Sequence, residues 1–145
     1  MTNASGFLML GLALCVARVV HAEEGLVARY TFDEGSGAVA KDVTGNGNDG
    51  KIHGARYVKN GTGHCLSFDG AGDHVNCGSG PSLNMTEAVT LEAWVKPAGG
   101  PKGEPAIMGK FFTSYLITYY GSAGCYFYIT EGRNNLRVGM LPGSW

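Results

Sequence analysis

Residues 65–78 read CLSFDGAGDHVNCG, two short runs on either side of a glycine-rich break. Side chains in a strand point to opposite faces in turn, so Leu66 and Phe68 define one strand and His74 and Asn76 a second. A turn around Ala71 makes the two antiparallel. Leu66 then faces Asn76, Phe68 faces His74, and Cys65 faces Cys77. Facing cysteines on adjacent strands lie within reach of a disulfide. Closing so short a loop would stabilise the fold by roughly 2–3 kcal/mol. The alternative is two free thiols.

The same two-residue alternation recurs on both sides. In LVARYTF (residues 26–32), Leu26, Ala28, Tyr30 and Phe32 share a face, with Arg29 and Thr31 opposite. Strands are also expected at residues 51–58, 88–97, 106–111, 114–120, 125–130 and 136–140. Between them lie clusters rich in Gly, Asn and Asp. The 145 residues hold 24 glycines and 5 prolines, and no G-X-Y period, which excludes a collagen. Each glycine inside a helix costs about 1 kcal/mol relative to alanine, so long helices are disfavoured. With 44% hydrophobic and 16% charged residues the chain has material for one core. The expectation is an all-β protein, an antiparallel sandwich or barrel.

Residues 1–22 read as a signal peptide. The apolar run FLMLGLALCVA (residues 7–17) has the length of a leader core, and Val20 and Ala22 precede a cleavage point before Glu23. An exported chain would be secreted, periplasmic or held at the cell surface. Leader removal takes Arg18 and Cys15, leaving ten basic against twelve acidic residues and Cys65, Cys77 and Cys125. That charge builds no basic face for nucleic acid. After the leader no stretch is long and apolar enough to span a membrane.

Catalysis is not expected. Paired glutamates at E-x-D-x-E spacing, which would put two carboxylates on one strand face, do not occur. Glu87 and Glu92 are five apart and point to opposite faces of a continuous strand. His53, His64 and His74 are scattered along the chain, and neither G-x-S-x-G nor H-E-x-x-H is present. Cys125, between Gly124 and Tyr126, has no local base and reads as a core residue.

Two ligand patterns remain. Asp42, Thr44, Asn46 and Gly47 fall at positions 1, 3, 5 and 6 of a calcium loop, with Asn48 at 7, but position 12 is His53 where an EF-hand needs glutamate. Asp33 is a further oxygen donor for such a site, and Glu34, Asp69 and Asp73 are others. The alternative is that Asp42, Asn46 and Asn48 are turn residues bonding their own backbone. The second pattern is aromatic. Tyr115, Tyr119, Tyr126 and Tyr128 crowd residues 115–128, and exposed aromatic faces stack on the C–H faces of sugars. The alternation equally allows some of them to fill the core. Sequons occur at Asn60-Gly61-Thr62 and Asn84-Met85-Thr86.

Five pieces in order carry a resemblance: LVARYTFDEGSG (26–37), DVTGNGNDGKI (42–52), CLSFDGAGDHVNCG (65–78), PSLNMTEAVTLEAWVKP (81–97) and IMGK (107–110). Together they resemble the laminin-G-like jelly-roll family of the concanavalin A-like lectin and glucanase superfamily. The resemblance covers residues 25–145 and implies an antiparallel β-sandwich that is incomplete at the C-terminus, since in that family further strands follow the tryptophan. It implies a non-catalytic binding module for carbohydrate or an extracellular protein. It admits calcium without fixing a ligand set here. The other function it suggests is an accessory or scaffolding domain of a larger extracellular hydrolase.

Overall fold

The computed structural model describes residues 25–98, 105–110, 114–119, 121, 124–131 and 134–140. The leader at residues 1–22 lies outside them. The described chain is all-β, with nine strands in three antiparallel sheets and one 3-10 turn. No helix among the described residues is long and apolar enough to cross a membrane.

The first sheet holds β1 (Val39–Ala40), β2 (Gly50–His53) and β5 (His74–Asn76), in the order β1-β2-β5. The second is the pair β3 (Arg56–Asn60) and β4 (Gly63–Ser67). The third is a meander of β6 (Ala106–Gly109), β7 (Tyr115–Tyr119), β8 (Cys125–Glu131) and β9 (Asn134–Met140).

The stretch 50–76 is one long, bent hairpin. At its tip β3 and β4 pair from Arg56↔Ser67 to Asn60↔Gly63, joined by Gly61 and Thr62. Of that two-residue loop only Gly61 has positive φ (59°), the pattern of a type II′ turn. At its base β2 pairs with β5, Lys51↔Asn76 to His53↔His74. Between base and tip the run expected as one strand, 51–58, breaks. Gly54 takes φ 76°, and Ala55 N–H donates to the His53 carbonyl at 2.9 Å, a three-residue turn.

This register corrects the pairing expected for residues 65–78. Cys65 stands opposite Val58, and Cys77 follows Asn76, which stands opposite Lys51. The cysteines belong to different levels of the hairpin, and Cys65, Cys77 and Cys125 are all free thiols. The turn closes at Gly61 rather than Ala71 because Gly61-Thr62 puts glycine at the first central position of a two-residue type II′ loop, a tighter hairpin connection than the looser DGAGD stretch.

Residues 26–32 also differ from expectation, lying outside any sheet, with Phe32 at φ 59°. Their polar backbone groups are met by the loop at 41–49 instead of a neighbouring strand. The Tyr30 and Phe32 rings do share a side, stacked with centroids 6.4 Å apart.

The core is small. Ala40, Gly50, Ile52, Val75 and Cys77 occupy the inner face of the first sheet, while Val39, Lys51, His53, His74 and Asn76 alternate onto the outer face. Ala40 and Ile52 are buried there, as are Tyr115 and Ile117 on β7. The two groups meet through the 3-10 turn Pro81–Leu83. Ser82 Oγ donates to Asn48 Oδ1 at 2.9 Å, and the Tyr115 hydroxyl donates to the Leu83 carbonyl at 3.0 Å.

Two glycine substitutions separate backbone strain from crowding. At Gly61 a Cβ meets nothing within 4 Å, whereas at Gly54 it would stand 1.8 Å from Asp73 Oδ1. Gly61→Ala should cost about 1–2 kcal/mol from its positive φ alone. Gly54→Ala should cost at least about 1 kcal/mol more, because the Asp73 carboxylate must also move. Urea midpoints of the two variants check this; equal shifts would refute the hairpin geometry at Gly54.

Candidate functional site

Residues 41–49 connect β1 to β2, and Asp42 organises them. Its Oδ1 accepts from Arg29 N–H (3.2 Å), Thr44 N–H (3.0 Å) and Thr44 Oγ1 (2.6 Å). Its Oδ2 accepts from Asn48 N–H at 3.1 Å. Asp42 N–H in turn donates to Asp49 Oδ1 at 2.9 Å, closing the neck of the loop. Asp49 Oδ2 pairs with Lys41 Nζ at 2.5 Å, an exposed ion pair of small worth.

The loop also holds residues 26–30. Asn46 Nδ2 donates to the carbonyls of Leu26 and Val27, and Asn48 Nδ2 donates to that of Val27 at 3.0 Å. Val43 N–H reaches the Arg29 carbonyl, and the Tyr30 hydroxyl donates to the Asn48 carbonyl. These are side chains doing what a neighbouring strand would do.

The structure thus brings Asp42, Asn46 and Asn48 together, but as a turn that binds its own chain. Four donors point at the Asp42 carboxylate, as many as its lone-pair positions, and their hydrogens would repel a cation. Asp33 lies outside this network, with its Oδ1 beside Gly63, 3.2 Å from where a Cβ would stand. Among the described residues no three His, Cys, Asp or Glu side chains gather at one point. The proposed set Asp33, Asp42, Asn46 and Asn48 therefore does not fit a calcium ion.

Electrostatics follow the same bonds. Burial alone would raise the Asp42 carboxyl, but the bonds from Thr44, Asn48 and Arg29 outweigh it and hold the group below its usual range. Lys41 and the Asp42 N–H hold Asp49 low as well. Burial pushes the Tyr30 hydroxyl well above its usual range, helped by the Cys77 thiol beside it and the charges of Asp42 and Asp49. Tyr115 is raised by burial and then by Cys77. Cys77 is half-buried, its Sγ 3.2 Å from a Cβ placed on Gly50.

The four tyrosines do not form one platform. On β7, Tyr115 and Tyr119 share a face with Ile117, and the β8 residues opposite them are Ile129, Phe127 and Cys125. Tyr126 and Tyr128 pair with Thr118 and Leu116, on the other face. Tyr115 is a core residue tied to Leu83. On that other face Thr118 is 2% exposed, while Leu116, Tyr126 and Tyr128 are half-buried.

Two aromatics among the described residues are exposed, Phe68 at 51% and, far more fully, Trp94 at 88%, within residues 88–97. That run, expected as a strand, carries no regular secondary structure, and no strand among the described residues pairs with it. Its alternation survives in burial at first, with Val89 and Leu91 half-buried and Thr90 and Glu92 exposed; from Glu92 to Ala98 every residue is exposed. The signal was present in the sequence. Trp94 falls on the parity of Thr90, Glu92 and Lys96, an apolar residue on a polar side.

The hairpin brings together His53 and His74, which sequence spacing leaves apart. No family model matches the chain, and no curated protein or solved structure matches it.

Asp42→Ala should destabilise the full chain by about 3 kcal/mol, because it orphans N–H groups in a loop that water reaches only in part. Asp42 and Asp49 both have lowered folded-state values. Their contribution is complete above the ordinary carboxylate range near ~4 and is lost as pH falls through the lowered values. Urea midpoints should be flat from pH 7 to about 5 and fall below about 4, with a shallower fall in Asp42→Ala. An unchanged acid limb in that variant would sink the assignment.

Proposed function

We propose that the chain is a secreted, non-catalytic recognition module, a laminin-G-like jelly-roll sandwich that binds carbohydrate or an extracellular protein. The all-antiparallel architecture of short strands is compatible with that sandwich, and the five ordered segments of sequence support it. The observation that carries the ligand reading is Trp94. An indole 88% exposed is available for stacking.

Carbohydrate is the better fit of the two ligands. Two-residue periodicity places Thr90, Glu92, Trp94 and Lys96 on one side of the run, and all four are exposed. A pyranose presents an apolar C–H face and a rim of hydroxyls. The indole takes the first, while the Glu92 carboxylate accepts from and the Lys96 ammonium donates to the second. Nothing in this arrangement activates a nucleophile or protonates a leaving group. The side chains bind and orient.

Glycan-array binding of the full chain, followed by titration calorimetry on the best hit, tests this reading. Trp94→Ala should weaken binding at least about tenfold, the worth of one aromatic platform. Tyr115→Phe should leave it unchanged, and so should calcium removal, since the loop at 41–49 does not fit that ion. Absence of binding to every glycan would overturn the carbohydrate reading.

A further inference from the structure

The outer face of the first sheet carries two imidazoles in register. His53 on β2 stands directly opposite His74 on β5, and their rings stack with centroids 4.6 Å apart and planes 14° from parallel. His74 is exposed and His53 half-buried, so the pair opens to solvent on one side.

The ring nitrogens are not equivalent. His74 Nδ1 lies 2.9 Å from the Gly72 carbonyl oxygen. A carbonyl only accepts, so Nδ1 carries the proton and Nε2 keeps its lone pair. A histidine that donates one ring N–H to a backbone carbonyl while presenting the other nitrogen is arranged as a metal ligand. The neighbourhood also favours a cation. Asp73 precedes His74 and its Oδ1 lies over Gly54, next to His53. Asp73 Oδ2 is held by Asp69 N–H at 2.9 Å, and Asp69 Oδ1 by Ala71 N–H at 2.7 Å. Lys51 shares the outer face, two residues before His53 on β2 and opposite Asn76.

We propose that His53 and His74 chelate a late first-row divalent metal ion, with Cu2+ bound more tightly than Ni2+ or Zn2+. Nitrogen donors suit these ions, and the order follows their general affinities. Metal–nitrogen bonds near ~2.1 Å require the two nitrogens to approach within about 3 Å. Turning the rings out of their stack, so that one nitrogen of each points at a common ion, is the movement this requires. With two protein ligands, water fills the remaining positions, so the ion is exchangeable and open to a further ligand.

The site is tested on the full chain with Cu2+, Ni2+ and Zn2+ salts. One equivalent of Cu2+ should bind with two imidazole nitrogens visible by electron paramagnetic resonance. His53→Gln and His74→Gln should each weaken Zn2+ binding at least tenfold in calorimetry, while His64→Gln should not. Because a variant can lose its fold, ring resonances of the unmodified chain supply a second measurement. Substoichiometric Cu2+ should broaden the His53 and His74 signals together before any other. Zn2+ should also raise the urea midpoint of the unmodified chain, with Ca2+ at the same concentration having no effect. Broadening centred on His64, or Zn2+ isotherms unchanged in both glutamine variants, would overturn the proposal.

Discussion

The Asp42 carboxylate is the interaction on which the described fold depends. It collects N–H groups from Arg29, Thr44 and Asn48, three points of the chain that have no sheet partner there. In doing so it fixes the loop between β1 and β2 and pins residues 26–30 against that loop. A buried carboxylate is costly unless fully bonded, and here the bonds are complete enough to hold it ionised. The same loop then presents Asn48, 4% exposed, to Ser82, which brings the 3-10 turn against the first sheet.

From that turn the constraint passes to the meander. The Leu83 carbonyl accepts the Tyr115 hydroxyl, and the Asn84 side chain accepts from Lys110 Nζ. Polar links therefore join regions that share little apolar surface. Ala40, Ile52, Tyr115 and Ile117 are the buried hydrophobics among the described residues, set against the buried polar Asp42, Asn48 and Thr118. Around Asp42 and Asn48, satisfied hydrogen bonds decide geometry more than packing does, because an unsatisfied one costs more than a small apolar contact gains; the buried Thr118 hydroxyl is the exception, with no partner among the described residues.

Much of the strand content was legible because it rests on two-residue alternation: β4, β5, β7 and β8 lie where that pattern puts them. The pairing of strands was not. Residues 65–78 allow a hairpin around Ala71, and only the competing Gly61-Thr62 turn, with the break at Gly54, sends β4 to β3 and β5 to β2. That choice separates Cys65 from Cys77 and unites His53 with His74. Local pattern says which residues face one way; register says which of them meet, and a non-local choice of turn sets the register. The oxygen-rich loop was legible in composition, but its two readings differ only in where the lone pairs point. The tyrosines were ambiguous for the same reason, since alternation cannot tell a covered face from an open one.

Trp94 shows what such a reading can still extract. On the parity of Thr90, Glu92 and Lys96 an indole gains nothing from the inner side of its run, where Val89 and Leu91 are half-buried. A scattered exposed leucine needs no explanation, but an indole 88% exposed leaves a large apolar surface in water. The outer face of the first sheet behaves in the same way: its histidines are the side chains that folding does not use. In a fold whose interior is settled by a hydrogen-bonded carboxylate, the groups left out of that settlement are the ones free to meet a ligand.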